Sequence, residues 1–133
     1  MHVHEMITSH PEVQGNVAEK LLRCIEDCYS CAQTCTSCAD ACLAEPSVDT
    51  LKQCIRLNLD CADVCAATGS MASRRTGSNV PVLRAVMLAC EQACRACGDE
   101  CRRHADMHEH CRVCADECMR CAESCRDAVA EVR

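Results

Sequence analysis

Between Cys24 and Cys42 the chain reads CIEDCYSCAQTCTSCADAC, with cysteines at 24, 28, 31, 35, 38 and 42. Steps of four and three alternate without a break. On an α-helix that spacing traces one stripe, the seam that faces partner helices. The residues between the thiols are mainly Glu, Asp, Gln, Ser, Thr and Ala, which belong on the outside. The spacing therefore predicts a helix whose core positions are sulfur where other bundles carry leucine. At roughly 1.5 Å rise per residue the run spans about 27 Å.

The same rhythm recurs downstream. Cys90, Cys94, Cys97 and Cys101 form a second rail, and Cys111, Cys114, Cys118, Cys121 and Cys125 a third. Cys54, Cys61 and Cys65 form a sparser one, with Asn58 in the vacant stripe position. Breaks separate these segments. Pro46 and Ser47 end the first, SRRTGSNVP over 73–81 is the clearest loop, and the chain turns again around Asp106. Helices are predicted from about 10 or 16 to 44, 48 to 72, 80 to 104 and 108 to 130. Ser9 with Glu12, Asn16 with Glu19, and Asp106 with Glu109 have capping-box spacing. Strand signals are absent. Short connections place consecutive helices antiparallel, so the predicted fold is all-α: an antiparallel four-helix bundle with a Cys-lined core. Residues 1–15 read as a polar lead-in, partly helical or flexible, and 16–133 as the bundle domain.

Composition fits one domain and narrows its chemistry. The chain has 133 residues, 18 of them Cys, with no Trp, no Phe and Tyr29 as its one tyrosine. A bundle without large side chains must pack its helices closely or fill its interior with something else. The net charge of -6 and the lack of a basic stripe argue against nucleic acid. No apolar run approaches a membrane span. MHVHEMITSH has neither the basic nor the apolar region of a signal peptide, so a reducing cytosol is the expected compartment. There, many cysteines point to metal or redox chemistry before structural disulfides.

Following each stripe past its thiols gives the ends of the bundle. Val17 and Leu21, Leu83 and Val86, and Ala128 and Val132 should meet near Met71 as an apolar plug. Cys42, Leu51, His104, His108 and Cys111 should meet at the other end as a His-bearing mouth. His110 and Met107 lie in the same turn. His2, His4 and His10 fall in the lead-in, and Met71 and Met87 read as packing residues. Tyr29 lies off the thiol stripe, which suits a surface or subunit contact. Ile55, Leu59, Ala62 and Ala66 flank the thiols of the second helix, as side contacts or as an oligomer face.

Buried thiols in a line favour soft metals: Cu(I), Zn(II) or an iron–sulfur cluster. Zinc and iron–sulfur sites want four ligands in a compact set, commonly gathered from loops. Here the thiols run as rails. Each CxxxC pair can flank a Cu(I) ion, and a thiolate that bridges two ions gives on the order of 18 Cu(I) per chain. Each Cu⁺ displaces one thiol proton, so loading leaves the charge nearly unchanged and depends on pH. A zinc or cadmium thiolate buffer is the alternative, and an iron–sulfur electron carrier a more distant one. No nucleophile with a paired base and no nucleotide loop suggests an enzyme. Protonated cysteines can fill a core as modest hydrophobes, so the metal-free chain is expected to fold.

The rails, the lack of aromatics and the absence of an export signal resemble the bacterial copper storage proteins, in particular their cytosolic branch. The resemblance covers about residues 16 to 130. It implies a four-helix bundle that holds multiple Cu(I) ions for storage and detoxification, with entry at one polar mouth and assembly into a homotetramer. It implies that the ligands are Cys24, Cys28, Cys31, Cys35, Cys38, Cys42, Cys54, Cys61, Cys65, Cys90, Cys94, Cys97, Cys101, Cys111, Cys114, Cys118, Cys121 and Cys125, with His104 the leading additional one. His108 and His110 are further candidates at the mouth. Asn58 departs from a full rail and reads as a weak oxygen ligand or a spacer.

Overall fold

A computed structural model describes residues 1–132. Helices α2 (Glu19–Ala44), α3 (Lys52–Ser73), α4 (Val80–Arg103) and α5 (Glu109–Val129) form the bundle, preceded by a short α1 (Val3–Thr8). A single 3-10 turn, Val48–Thr50, leads into α3. Each bundle helix packs on two neighbours, in the cyclic order α2, α3, α4, α5. Consecutive helices are antiparallel, which leaves α2 parallel to α4 across the diagonal. The four long helices end within a few residues of the positions that the breaks predict. Among the described residues there is no strand, and no helix is long and apolar enough to cross a membrane.

The predicted capping boxes do not form. Among the described residues no helix has a side-chain N-cap hydrogen bond. Ser9 closes the end of α1 instead, its hydroxyl donating to the Met6 carbonyl at 3.2 Å. Ala18 occupies the N-cap position of α2 and His108 that of α5. Packing of the apolar stripe, not end chemistry, decides where these helices begin. Between α1 and α2 the chain reverses through Gln14 and Gly15, both at positive φ (51° and 78°), with the Gly15 N–H donating to the Thr8 carbonyl. Part of the lead-in is therefore helical, and its Val3 and Ile7 are buried in the core cluster.

Small residues let the helices approach. A Cβ at Gly69 would come within 3.1–3.2 Å of the Tyr29 ring, and one at Gly98 within 2.8 Å of the Met119 methyl. Tyr29 thus lies on α3 rather than free on the surface, with its hydroxyl 3.4 Å from that of Ser70. The close approach also buries flanking positions. Glu100, Glu117 and Ser124 are only 5–8% exposed although they stand off the thiol stripes. The second apolar set on α3 divides: Ala62 is buried and Ile55 packs against the core, while Leu59 and Ala66 are exposed.

The plug is present at the predicted end, with a shift of register. Leu21, Leu22, Ile25, Ala72, Leu83, Met87, Ala128 and Val132 are buried. Val17, Val86 and Met71 lie at its edge, half-buried. Met87 is fully enclosed, as a packing residue should be.

Candidate metal centre

All 18 cysteines are free thiols, and none is more than 2% exposed. The sulfurs meet one another. Cys24 and Cys125 are 3.5 Å apart, Cys35 and Cys118 3.5 Å, Cys65 and Cys94 3.5 Å, and Cys54 and Cys101 3.6 Å. Contacts also cross the diagonal, Cys28 to Cys90 and Cys35 to Cys97, each at 3.9 Å. Separations this short are van der Waals contact. The interior is therefore a packed column of sulfur rather than an open tube, held by the same apolar burial that holds the plug.

The column divides into quartets whose sulfurs all lie within 4.8 Å of one another: Cys28, Cys90, Cys121 and Cys125; Cys31, Cys65, Cys94 and Cys121; Cys31, Cys35, Cys61 and Cys118; Cys35, Cys97, Cys114 and Cys118. Neighbouring quartets share members. Cys121 serves the first two, Cys31 the second and third, and Cys35 with Cys118 the third and fourth. The sulfur–sulfur edges suit a tetrahedral ion at about 2.3 Å from each ligand as well as a bridged cluster. The sharing separates them: isolated four-thiolate sites would compete for Cys31, Cys35, Cys118 and Cys121, whereas bridging ions require them.

Asn58 is fully buried in this column. Its side-chain N–H donates to the Cys54 carbonyl at 2.9 Å and faces the Cys54 sulfur at 3.4 Å. Its Oδ1 accepts from the thiols of Cys114 at 2.9 Å and Cys97 at 3.2 Å. A carbonyl oxygen among thiols gives those protons an acceptor.

At the mouth the structure selects among the histidines. His110 Nδ1 lies 3.4 Å from the Cys38 sulfur and 3.6 Å from that of Cys111. With Cys38, Cys42 and Cys111 it forms a further compact quartet. His104 instead has Nε2 3.0 Å from Glu100 Oε2, and His108 has Nδ1 3.0 Å from Glu45 Oε2. The His108 and His110 rings stack, centroids 5.5 Å apart. His10 has both ring nitrogens engaged, by the Glu12 N–H and the Thr76 hydroxyl, and His2 and His4 are exposed. Met107 is exposed in the turn.

Hydrogen bonding polarises the thiols unevenly. The thiols of Cys125 and Cys28, donating to Cys24, hold it down at about 5 against its burial. Those of Cys101 and Cys38 hold Cys54 at about 3, with a smaller contribution from the positive charge of His104. Cys28 is pushed far up, first by its hydrogen bonds with Cys121, Cys125 and Cys24 and then by burial. Cys42 is raised to about 11, first by burial and then by the charge of Cys54. Lowered thiols thus lie beside raised ones along the whole column, Cys31 beside Cys35 and Cys90 beside Cys94 among them. Glu45 is held below the usual carboxylate range, chiefly by its hydrogen bond from His110.

The profile of the copper storage protein family matches residues 17–130, from the entrance to α2 to the end of α5. The chain belongs to the copper storage protein family. Solved structures of other members share its shape. That of Ccsp from Streptomyces lividans loaded with 10 copper equivalents is 53% identical, with a TM-score of 0.91 over 96% of this chain and 98% of that one. The Cu(I)-bound copper storage protein Csp3 of Bacillus subtilis is 40% identical, with a TM-score of 0.69 over 78% of this chain and 92% of that one. An uncharacterised cysteine-rich protein of Bacillus subtilis is 39% identical over 107 residues, which covers 80% of this chain and 94% of the relative.

Proposed function

We propose that this member of the family stores Cu(I) as a string of thiolate-bridged ions along the sulfur column, on the order of one ion per cysteine. The observation that carries the reading is the sharing of cysteines between adjacent quartets. All 18 cysteines are the ligands, and Asn58 Oδ1 offers a neutral oxygen at the vacant rail position. Copper enters at the mouth, where His110 is the histidine set against thiols, with His104 and His108 outside it. It moves inward by thiolate exchange, because each ion's next site already shares one of its ligands. Each Cu⁺ takes the place of one thiol proton, so a loaded column carries no net buried charge. The role is storage and detoxification, with no catalytic cycle. Copper-loaded structures of relatives support the choice of metal, as does the Streptomyces lividans protein, described as a cytosolic copper storage protein. The same compartment is proposed here, and a homotetramer as the assembly.

Anaerobic titration of the reduced protein with Cu(I), in competition with a strong Cu(I) chelator, tests this. Copper bound in roughly one-to-one ratio to cysteine is expected from bridging thiolates. Saturation at a few ions that Zn(II) displaces would instead identify a zinc or cadmium buffer.

A further inference from the structure

We propose that Glu45 is the positioning residue of the mouth: its carboxylate accepts the Nε2–H of His110 and so presents the Nδ1 lone pair to Cys38 and Cys111. This rests on the reading of His110 as a copper ligand and adds to it the residue that makes it one. Glu45 Oε2 lies 2.8 Å from His110 Nε2 and 3.0 Å from His108 Nδ1. A carboxylate can only accept, so the nitrogen that faces it carries the proton. A neutral imidazole has one N–H, and its other nitrogen must then hold the free lone pair. For His110 that nitrogen is Nδ1, at 3.4 and 3.6 Å from two column sulfurs. For His108 it is Nε2. One oxygen therefore sets two stacked rings in opposite senses.

The chain builds Glu45 for this place. It follows the last residue of α2 with extended backbone (φ -75°, ψ 140°). Pro46 next in sequence disfavours the helical region for it, so the chain leaves the helix axis there. That exit carries the carboxylate to the first turn of α5, where His108 is the N-cap and His110 follows. A metal-bound histidine held by a carboxylate through its second nitrogen is a more basic and better oriented ligand, and losing such a partner typically costs roughly 10–100-fold in metal affinity.

The test uses the full-length, reduced, copper-free protein labelled with 15N at histidine, at about pH 8, where an ordinary histidine is neutral. Long-range proton–nitrogen spectra should show His110 protonated at Nε2, with Nδ1 unprotonated. Glu45→Ala should shift His110 toward a mixture of tautomers and slow Cu(I) transfer from a weak chelator roughly 10–100-fold. Glu45→Gln keeps a carbonyl acceptor and should restore the tautomer and most of the rate. Circular dichroism of each variant verifies that the bundle is intact. An E45A protein with an unchanged tautomer overturns the proposal, whatever its loading rate. So does an E45Q protein that behaves like E45A, which would mean that charge rather than hydrogen bonding is at work. A His110→Ala protein that loads at the wild-type rate would remove the ligand reading itself, and the proposal with it.

Discussion

At one end of the bundle Leu21, Leu22, Ile25, Leu83 and Met87 close the core; at the other, Cys38, Cys42 and Cys111 meet His110, with His104, His108, Glu45 and Glu100 around it. Both ends are built on the same helical stripes. The first is closed by large apolar side chains, which contribute burial that cysteine cannot. The second gives up that burial for donors that reach the solvent. Stability and access are thus placed at opposite ends of one column, and a substitution should affect one or the other according to where it falls.

The largest effect on stability is expected in the plug. Met87→Ala should destabilise the reduced, metal-free protein by about 2–5 kcal/mol, because it removes a fully enclosed side chain and leaves a cavity. Urea unfolding measures this, and the copper count should hold. In the mouth half, Asn58→Ala strips hydrogen bonds from thiols of α3, α4 and α5 and should cost about 1–3 kcal/mol. Unlike the plug variant it should also change copper loading. A deficit in both cases, or in neither, would break the division.

Two further expectations sharpen it by pH. Burial, and second the charge of Asp27, raise Glu117 on the outer face between α2 and α5, and its Oε1 has no partner among the described residues. A raised carboxyl stabilises the fold while protonated and loses that contribution as pH rises through its folded value. Glu117→Gln should therefore gain on the order of 1 kcal/mol at pH 7 and nothing near pH 4 in thermal unfolding. Within the column, uptake at Cys42, raised to about 11, releases a proton, so its affinity should climb with pH. Uptake at Cys54, already a thiolate above about 3, should barely respond between neutral pH and 9. The smallest effect belongs to the surface: Arg112→Ala, which breaks solvent-screened pairs with Glu109 and Asp116, should leave the thermal midpoint close to that of the unaltered protein.

The alternating steps from Cys24 to Cys42 carry the fold on their own, because only a helix turns thiols at that spacing to one side. The rails therefore place every cysteine inside before any coordinate is known, and the breaks at Pro46 and 73–81 divide the helices. What the rails do not carry is everything off the stripe. Glu45 gives no periodic signal; Pro46 after it is the one hint, since it turns the chain outward. His110 adjoins Cys111 and by strict periodicity should face away. In the first turn of α5, where the column ends, its Nδ1 nevertheless lies 3.4 Å from the Cys38 sulfur. His104 does continue the α4 stripe, yet Glu100 holds its Nε2. The buried Glu117 and Ser124 follow from helix approach set by glycine and alanine, which a pattern of polar and apolar residues does not encode.

Crystals grown with cuprous salt under anaerobic conditions, measured on both sides of the copper absorption edge, test the central claim most directly. Anomalous density should run as a chain of peaks down the column, with Cys31, Cys35, Cys118 and Cys121 each bridging neighbouring ions. Peaks confined to separate four-sulfur sites with no ligand in common, or to the histidines alone, would contradict it.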